Sequence, residues 1–306
     1  LKFNGLIKLS LSDIFNKFHS KMLKTNKDQL VKIALGGKVA SAFEWLPFEI
    51  AHDGNLHAVP STGGITLNVR VGDKALGWRG DHIEPAVSSI CIDSEKKAGN
   101  GYNFLSCLGN EVLITSGDAK GEKGFVVGKH GGVEHVMLDF PNEVLEKLTP
   151  EDKFLIKSFG QGLILSDYPE IKVYNLDPWV LEEMPISQQN GKLQVQVKSI
   201  IPAGLMGSGI GQLGTTRGDY DILTQDENEV KKHGIDALHL GDLVAIENAD
   251  NTIGRTWRFG SMTIGIVIHC DSYLAGHGPG VMTLLTCATD QIEAVIGEKV
   301  NFTDWL

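Results

Sequence analysis

The sequence predicts a mainly β protein: a multi-stranded β sandwich or barrel core, a small inserted barrel-like subdomain and a few short helices. Three observations carry this. Short apolar stretches recur at intervals of roughly ten residues, separated by Gly, Pro, Asn and Asp, which is strand-and-turn spacing. Within several of them the apolar residues alternate, as in Ile65, Leu67, Val69 and Val71, or Ile264, Ile266 and Ile268, so that one sheet face is buried. Glycine contributes 36 of 306 residues, above the usual share of about 7%, and supplies turns and close backbone approaches.

Taken along the chain, residues 1–22 read as a surface extension. Phe3, Leu6, Ile7, Leu11, Ile14, Phe15 and Phe18 recur at helical spacing, and residues 1–32 hold seven lysines against two aspartates. Met22 is a candidate native start. The expected strands are 31–35, 64–71, 86–92, 111–116, 124–128, 135–140, 153–158, 162–165, 193–201, 243–247, 261–269 and 280–285. Helices are expected at 100–108, 142–147, 178–184, 226–233 and 290–296; Pro141 suits the first turn of the second, and Thr149-Pro150 lies past its end. Residues 23–110 with 190–306 form the expected main β domain, and 111–189 the barrel-like subdomain. In the latter, Ser116–Gly128 places glycines around lysines before a strand and resembles the KOW turn of ribosomal and transcription-factor barrels; it reads as a structural hairpin.

The composition narrows function by exclusion. The net charge is −10, the wrong sign for a general nucleic-acid binder, which displaces phosphate counterions with excess Lys and Arg. No run of eighteen apolar residues offers a transmembrane helix. Cys91, Cys107, Cys270 and Cys287 show no metal-ribbon spacing and no C-x-x-C, so four reduced thiols in a cytoplasmic protein are expected.

Five clusters carry candidate chemistry. In Asp81-His-Ile-Glu84, His82 and Glu84 leave the same face of an extended segment and can ligate a metal or pair as base and orienter. In Gly128-Lys-His-Gly-Gly132, His130 precedes a diglycine that lets backbone amides approach a ligand, while His135 starts a strand and reads as structural. Gly207–Gly214 contains G-x-G-x-x-G, but Pro202 precedes it and no amphipathic helix follows, so a dinucleotide site is rejected. Gly209 and Gly211 remain candidates for an anion nest or flexible lid, and Asp219 and Asp221 just beyond share a face suited to a cation. Asp250 and Asn251 sit in a turn beside Arg255 and Arg258, whose fork geometry suits a carboxylate or phosphate. Finally His269 ends an apolar strand, and His277 is bracketed by glycines.

These blocks together resemble a bacterial and archaeal family known as domain-of-unknown-function family 4438. The strings that carry the resemblance are Leu23-Lys-Thr-Asn26, Gly63-Gly-Ile65, Gly80-Asp-His-Ile-Glu-Pro85, Ser116-Gly-Asp-Ala-Lys-Gly121, Gly128-Lys-His-Gly-Gly132, Leu205-Met-Gly-Ser-Gly-Ile-Gly211, Gly218-Asp-Tyr-Asp221 and Gly276-His-Gly-Pro-Gly-Val281. The resemblance covers nearly everything after residue 22 and implies a mainly β fold, with no named activity. Two positions depart from it: Ala86 stands where Gly is expected, and Thr252 where Arg is expected. A fainter likeness to acetamidase/formamidase enzymes rests on Gly218–Asp221, Gly241-Asp242 and Asp250–Gly254 in that order.

The leading expectation is a metal-assisted hydrolase acting on an amide or similar small polar substrate, assembled as a homo-oligomer. Asp81, His82, Glu84, His130 and His277 are the candidate catalytic residues. His82, Glu84, Asp219 and Asp221 are the candidate ligands for a divalent metal, Zn²⁺ or Mn²⁺, and Gly209, Gly211, Asp250, Asn251 and Arg255 the candidate ligand-binding residues. A non-catalytic small-molecule-binding or assembly protein and an RNA-associated small barrel stay open as alternatives. The hydrolase expectation requires distant segments to meet in one cavity.

Overall fold

A computed structural model describes residues 23–43, 48–211 and 214–306. The amphipathic extension at 1–22, with Met22, lies outside the described residues.

The first half winds into a closed barrel. Its strands are β1 (Ile33–Val39), β4 (Val87–Cys91), β5 (Glu111–Ile114), β6 (Lys123–His130), β7 (His135–Asp139) and β8 (Lys153–Ser158), in the spatial order β1-β4-β7-β6-β5-β8, with β8 returning to β1. Every neighbouring pair is antiparallel. Closure leaves no sheet edge unpaired. The strands alternate as a barrel wall requires: Val112 and Ile114 of β5 and Phe154 and Ile156 of β8 are buried with Val126, Val136 and Leu138 in one core. Outside the wall lie a short hairpin of β2 (Glu49–Ile50) and β3 (Leu56–His57) and helices α1 (Lys96–Leu105) and α2 (Asn142–Leu145). The glycine- and lysine-rich turn is the β5–β6 hairpin of this wall. Strands β1 and β4 enter the barrel from before residue 110, so the barrel draws on both sides of that position.

The second half forms an open sheet. After β9 (Lys172–Val173) and α3 (Pro178–Glu183) come β10 (Ile186–Gln189), β11 (Lys192–Val197), β12 (Ser199–Pro202), β13 (Met206–Gly209), β14 (Asp219–Ile222), α4 (Glu227–Lys232), β15 (Leu243–Asp250), β16 (Thr256–His269), β17 (Gly280–Cys287) and β18 (Ile292–Ile296). The main sheet runs β12-β15-β16-β17-β14-β13, with β9 added on β17, and β10-β11-β18 make a small separate sheet. Ile264, Ile266 and Ile268 of β16 face one core with Leu243, Ala245 and Met282, as their alternation predicts, while Val267 faces a second core with Val244 and Val281.

Three elements differ from the sequence reading. The strand expected at 162–165 is a turn region with only isolated bridges, Ile164 to Lys172 and Leu165 to Thr25. Residues 64–71 form a loop, with only an isolated bridge from Ile65 to Val87. Gly63, Gly64 and Gly72 all take positive φ there, which ends pairing at both sides despite the apolar alternation. Residues 290–296 are expected as a helix, yet 292–296 are strand β18, paired in parallel with β11. Ile292, Val295 and Ile296 are β-branched, and burial of Ile292 in one core with Leu193 and Val195 favours the strand.

Candidate metal centre

Three strands and two loops converge where the barrel meets the sheet. His130 is the last residue of β6 and His269 the last of β16. Asp219 and Asp221 alternate on β14 and point together, while Tyr220 between them is buried on the opposite side, its hydroxyl accepting from Asn251 Nδ2 at 2.9 Å. His82 sits in the loop before β4 with φ +50°, a left-handed conformation, and its N–H donates to the Asp271 carbonyl. His277 lies in the glycine-flanked loop leading to β17.

The hydrogen bonds fix which ring nitrogens face inward. His82 Nδ1 donates to Asp81 Oδ2 at 2.6 Å, and Asp81 is held in turn by Ser272 Oγ and the Tyr273 N–H. His130 Nδ1 donates to Glu84 Oε1 at 2.7 Å. His269 Nδ1 donates to the Cys270 carbonyl at 2.8 Å. A carboxylate or carbonyl can only accept, so each partner pins the proton on Nδ1 and leaves Nε2 to face the cluster. This is how metal-ligating histidines are oriented. His82 Nε2 then lies 3.3 Å from Asp221 Oδ2 and 3.0 Å from His277 Nδ1, and His277 Nδ1 lies 3.0 Å from the same Asp221 oxygen. His269 Nε2 stands 2.9 Å from Asp219 Oδ2 and 3.5 Å from Asp221 Oδ1. Two overlapping ligand sets result, His82–Asp221–His269 and His130–Asp219–His269, each with its donor atoms within 4.8 Å of one another. Asp221 offers one oxygen to His82 and His277 and the other to His269.

The electrostatics favour a cation at this spot. Burial alone would strip charge from the rings, but the carboxylates outweigh it: His82, beside Asp221 and Asp81, is pushed up to about 9, and His269, facing Asp219 and Asp221, rises well above the usual imidazole value. Asp221 is buried, yet His269, His277 and His82 hold it well below the usual carboxylate range. Glu84 is fully buried, and His130 and His135 hold it low in the same way. It also accepts from Ser88 Oγ and the Gly63 N–H. The acids thus draw positive charge onto the nitrogens that a divalent ion would occupy.

Two glycines leave the room this geometry needs. A Cβ at Gly280 would stand 2.1 Å from Asp219 Oδ2 and 2.2 Å from His269 Nε2, and one at Gly218 would stand 2.7 Å from the Gly131 Cα. The cluster opens onto a cavity of about 360 Å³ walled by Gly131, Gly132, the Ser208–Gly211 segment, Gly214, Arg217 and Gly218. His82, His130, Asp219, Asp221 and His277 form its floor.

Residues 48–182 match the N-terminal domain, and residues 183–306 the C-terminal domain, of a family described as a domain of unknown function, DUF4438. The chain belongs to this family. It is also similar to the crystal structure of TM1086, with a TM-score of 0.89 and 45% sequence identity over 93% of this chain and 99% of that one. No curated protein matches the chain. The cluster straddles the two DUF4438 domains: His82 and His130 come from the N-terminal one, and Asp219, Asp221, His269 and His277 from the C-terminal one.

Of the residues singled out from the sequence, the structure gathers His82, His130, His277, Asp219 and Asp221 around one point, with Gly209 and Gly211 in the cavity wall. Asp81 and Glu84 stand directly behind His82 and His130 as orienting acceptors, so Glu84 lies one bond further out than a ligand position. Asp250, Asn251 and Arg255 lie elsewhere. Asp250 pairs with Arg258 at 3.0 Å and accepts from Thr252, Asn251 is buried against Tyr220 and Thr283, and Arg255 is exposed. His269 and Arg217 were given no catalytic, metal or binding role in the sequence reading. The signal for His269 was its place at the end of an apolar strand; for Arg217 it was its place between the glycine segment and Asp219. All four cysteines are free, and burial pushes the Cys270 thiol up to about 12, which leaves it a poor nucleophile.

Proposed function

We propose that this centre holds a divalent metal and that the protein is a metal-assisted hydrolase of a small polar, amide-like substrate. The observation that carries the reading is the set of three histidines, His82, His130 and His269, each pinned through Nδ1 and each presenting Nε2 toward Asp219 and Asp221. A mixed imidazole and carboxylate set suits Zn²⁺ or Mn²⁺. A divalent ion there lowers the pKa of a coordinated water toward neutrality and polarises a carbonyl.

The chain supplies the rest. Asp81 and Glu84 hold the rings against rotation. His277 is the ring open to the cavity, with about a third of its side chain exposed against none for His269. It is the ring available to carry a proton from the attacking water to the leaving nitrogen, with Nδ1 3.0 Å from Asp221 Oδ2. Hydrolysis balances on this scheme: the C–N bond breaks, a C–O bond forms, and the proton lost by water leaves on the amine.

Metal analysis of protein purified without chelator tests the reading. Bound Zn²⁺ or Mn²⁺, thermal stabilisation by that ion and turnover of a short amide in a substrate screen are expected. Absence of bound metal together with an unchanged Tm on adding either ion overturns it. Bound metal without turnover across amides and esters would favour the binding-protein alternative.

A further inference from the structure

We propose that Arg217 and the glycine wall form an anion subsite, so that the substrate carries a carboxylate or phosphate group beside its scissile bond. This rests on the metal-centre reading for the chemistry but stands on separate residues.

Arg217 is half-buried and lines the same cavity as the histidines and aspartates. Among the described residues its guanidinium has no ion pair and no hydrogen-bond partner, although Asp219 is only two positions away. The reason is that Asp219 is already committed, Oδ1 to the Gly131 N–H at 2.8 Å and Oδ2 toward His269. An arginine lining a cavity with its hydrogen-bonding positions uncommitted can take an anion, and its planar fork matches a carboxylate or phosphate.

The surroundings hold the arginine in place. Lys129 is fully buried, and its Nζ donates to the Thr216 carbonyl at 2.6 Å, fastening the turn that carries Arg217 from beneath. That ammonium also adds positive charge behind the wall. Glu134 is the one acid among the lining residues outside the metal cluster, and it is exposed at the rim. Ser208, Gly209, Ile210 and Gly211 line the same cavity, where the glycines allow an anion to approach the backbone, while Gly214 belongs to the turn that carries Arg217 and accepts its backbone N–H. A cavity of about 360 Å³ lies at the small end of ligand sites, so anchor and scissile group must belong to one compact molecule.

Calorimetric titration of the 306-residue chain tests this, using succinate, inorganic phosphate and the neutral diamide succinamide, each with and without Mn²⁺. Wild type is expected to bind succinate or phosphate, the stronger of the two identifying the anion. R217Q should weaken that binding by about tenfold or more, while succinamide binding shows no dependence on Arg217. R217K, which keeps the charge without the fork, should fall between the two and separates a lost anion contact from a folding defect. Equal affinity in wild type and R217Q, or no binding of either anion by wild type, overturns the proposal. Metal content is measured separately on each protein. A metal-free wild type that still binds an anion through Arg217 would sink the hydrolase reading and leave this subsite standing.

Discussion

His269 Nε2 and Asp219 Oδ2 stand 2.9 Å apart inside the protein, yet the oxygen lies off the axis of the ring nitrogen, which has no proper hydrogen-bond partner. A buried polar atom without a partner is uncommon and calls for a cause. A cation shared by the two atoms supplies one. His269→Ala and Asp219→Asn should therefore each abolish tight metal binding, read by metal content after dialysis. Retention of full metal content in both would refute the assignment.

Glu84 makes a different prediction from a true ligand. Its carboxylate orients His130 and His135 and accepts from Ser88 and Gly63. Outer partners of metal histidines tune affinity without supplying a coordination bond, by about 10–100-fold when removed. Glu84→Gln is accordingly expected to weaken metal affinity by about that factor while leaving the stoichiometry unchanged. Loss of stoichiometry would show that Glu84 moves onto the ion.

Gly280 should tolerate no side chain. An added Cβ would lie within 2.2 Å of both His269 Nε2 and Asp219 Oδ2, and β17 cannot retreat because it pairs with β14 and β16 at this point. Overpacking of this kind costs about 1–3 kcal/mol. Gly280→Ala is expected to lower Tm by several degrees and remove metal binding. A variant with wild-type affinity would mean that the two ligands have room to part.

The sequence made most of the barrel legible, because its strands alternate and its turns are marked by glycine. It also exposed His82, His130, Asp219, Asp221 and His277, since imidazoles and acids flanked by glycine stand out in a chain. It marked His269 without giving it a role, because its neighbours Ile264, Ile266, Val267 and Ile268 are all buried core residues and its ring reads as the end of an apolar strand. It pointed to Arg255 rather than Arg217 because adjacency in the chain does not reveal which arginine lines the cavity: Arg217 does, and Arg255 is exposed elsewhere. The same limit applied to Glu84: spacing puts it on the same face as His82, but only the fold inserts His130 and His135 ahead of it. The loop at 64–71 shows that alternation cannot override glycines at positive φ on both flanks.

Ala86 carries a backbone cost of its own. Its φ is +52°, a region that penalises a side chain by about 1–2 kcal/mol. The methyl group is fully buried, and losing it forfeits up to about 0.8 kcal/mol. Ala86→Gly should still come out slightly stabilising, with Tm raised by a few degrees at most in a thermal melt. A clear fall in Tm would mean that packing of the methyl against the barrel outweighs the backbone strain.

Asp177 gives the fold its own pH dependence, away from the metal cluster. It caps α3 by accepting the Trp179 N–H and also takes a hydrogen bond from Asn110 Nδ2. Burial nevertheless dominates and raises its pKa from 3.8 to about 6. A carboxyl group whose folded value lies above its unfolded value favours the fold in its protonated form. Its penalty is therefore absent below about 3.8, grows as pH rises, and is complete above about 6. Asp177→Asn has no such titration. The Tm of the variant relative to wild type should thus be higher at pH 7.5 than at pH 4.5, whatever the fixed effect of exchanging an oxygen for an amide beside Asn110. A difference that stays constant over this range, or that shrinks toward pH 7.5, would show that the cap and the Asn110 bond stabilise the charged carboxylate more than burial opposes it.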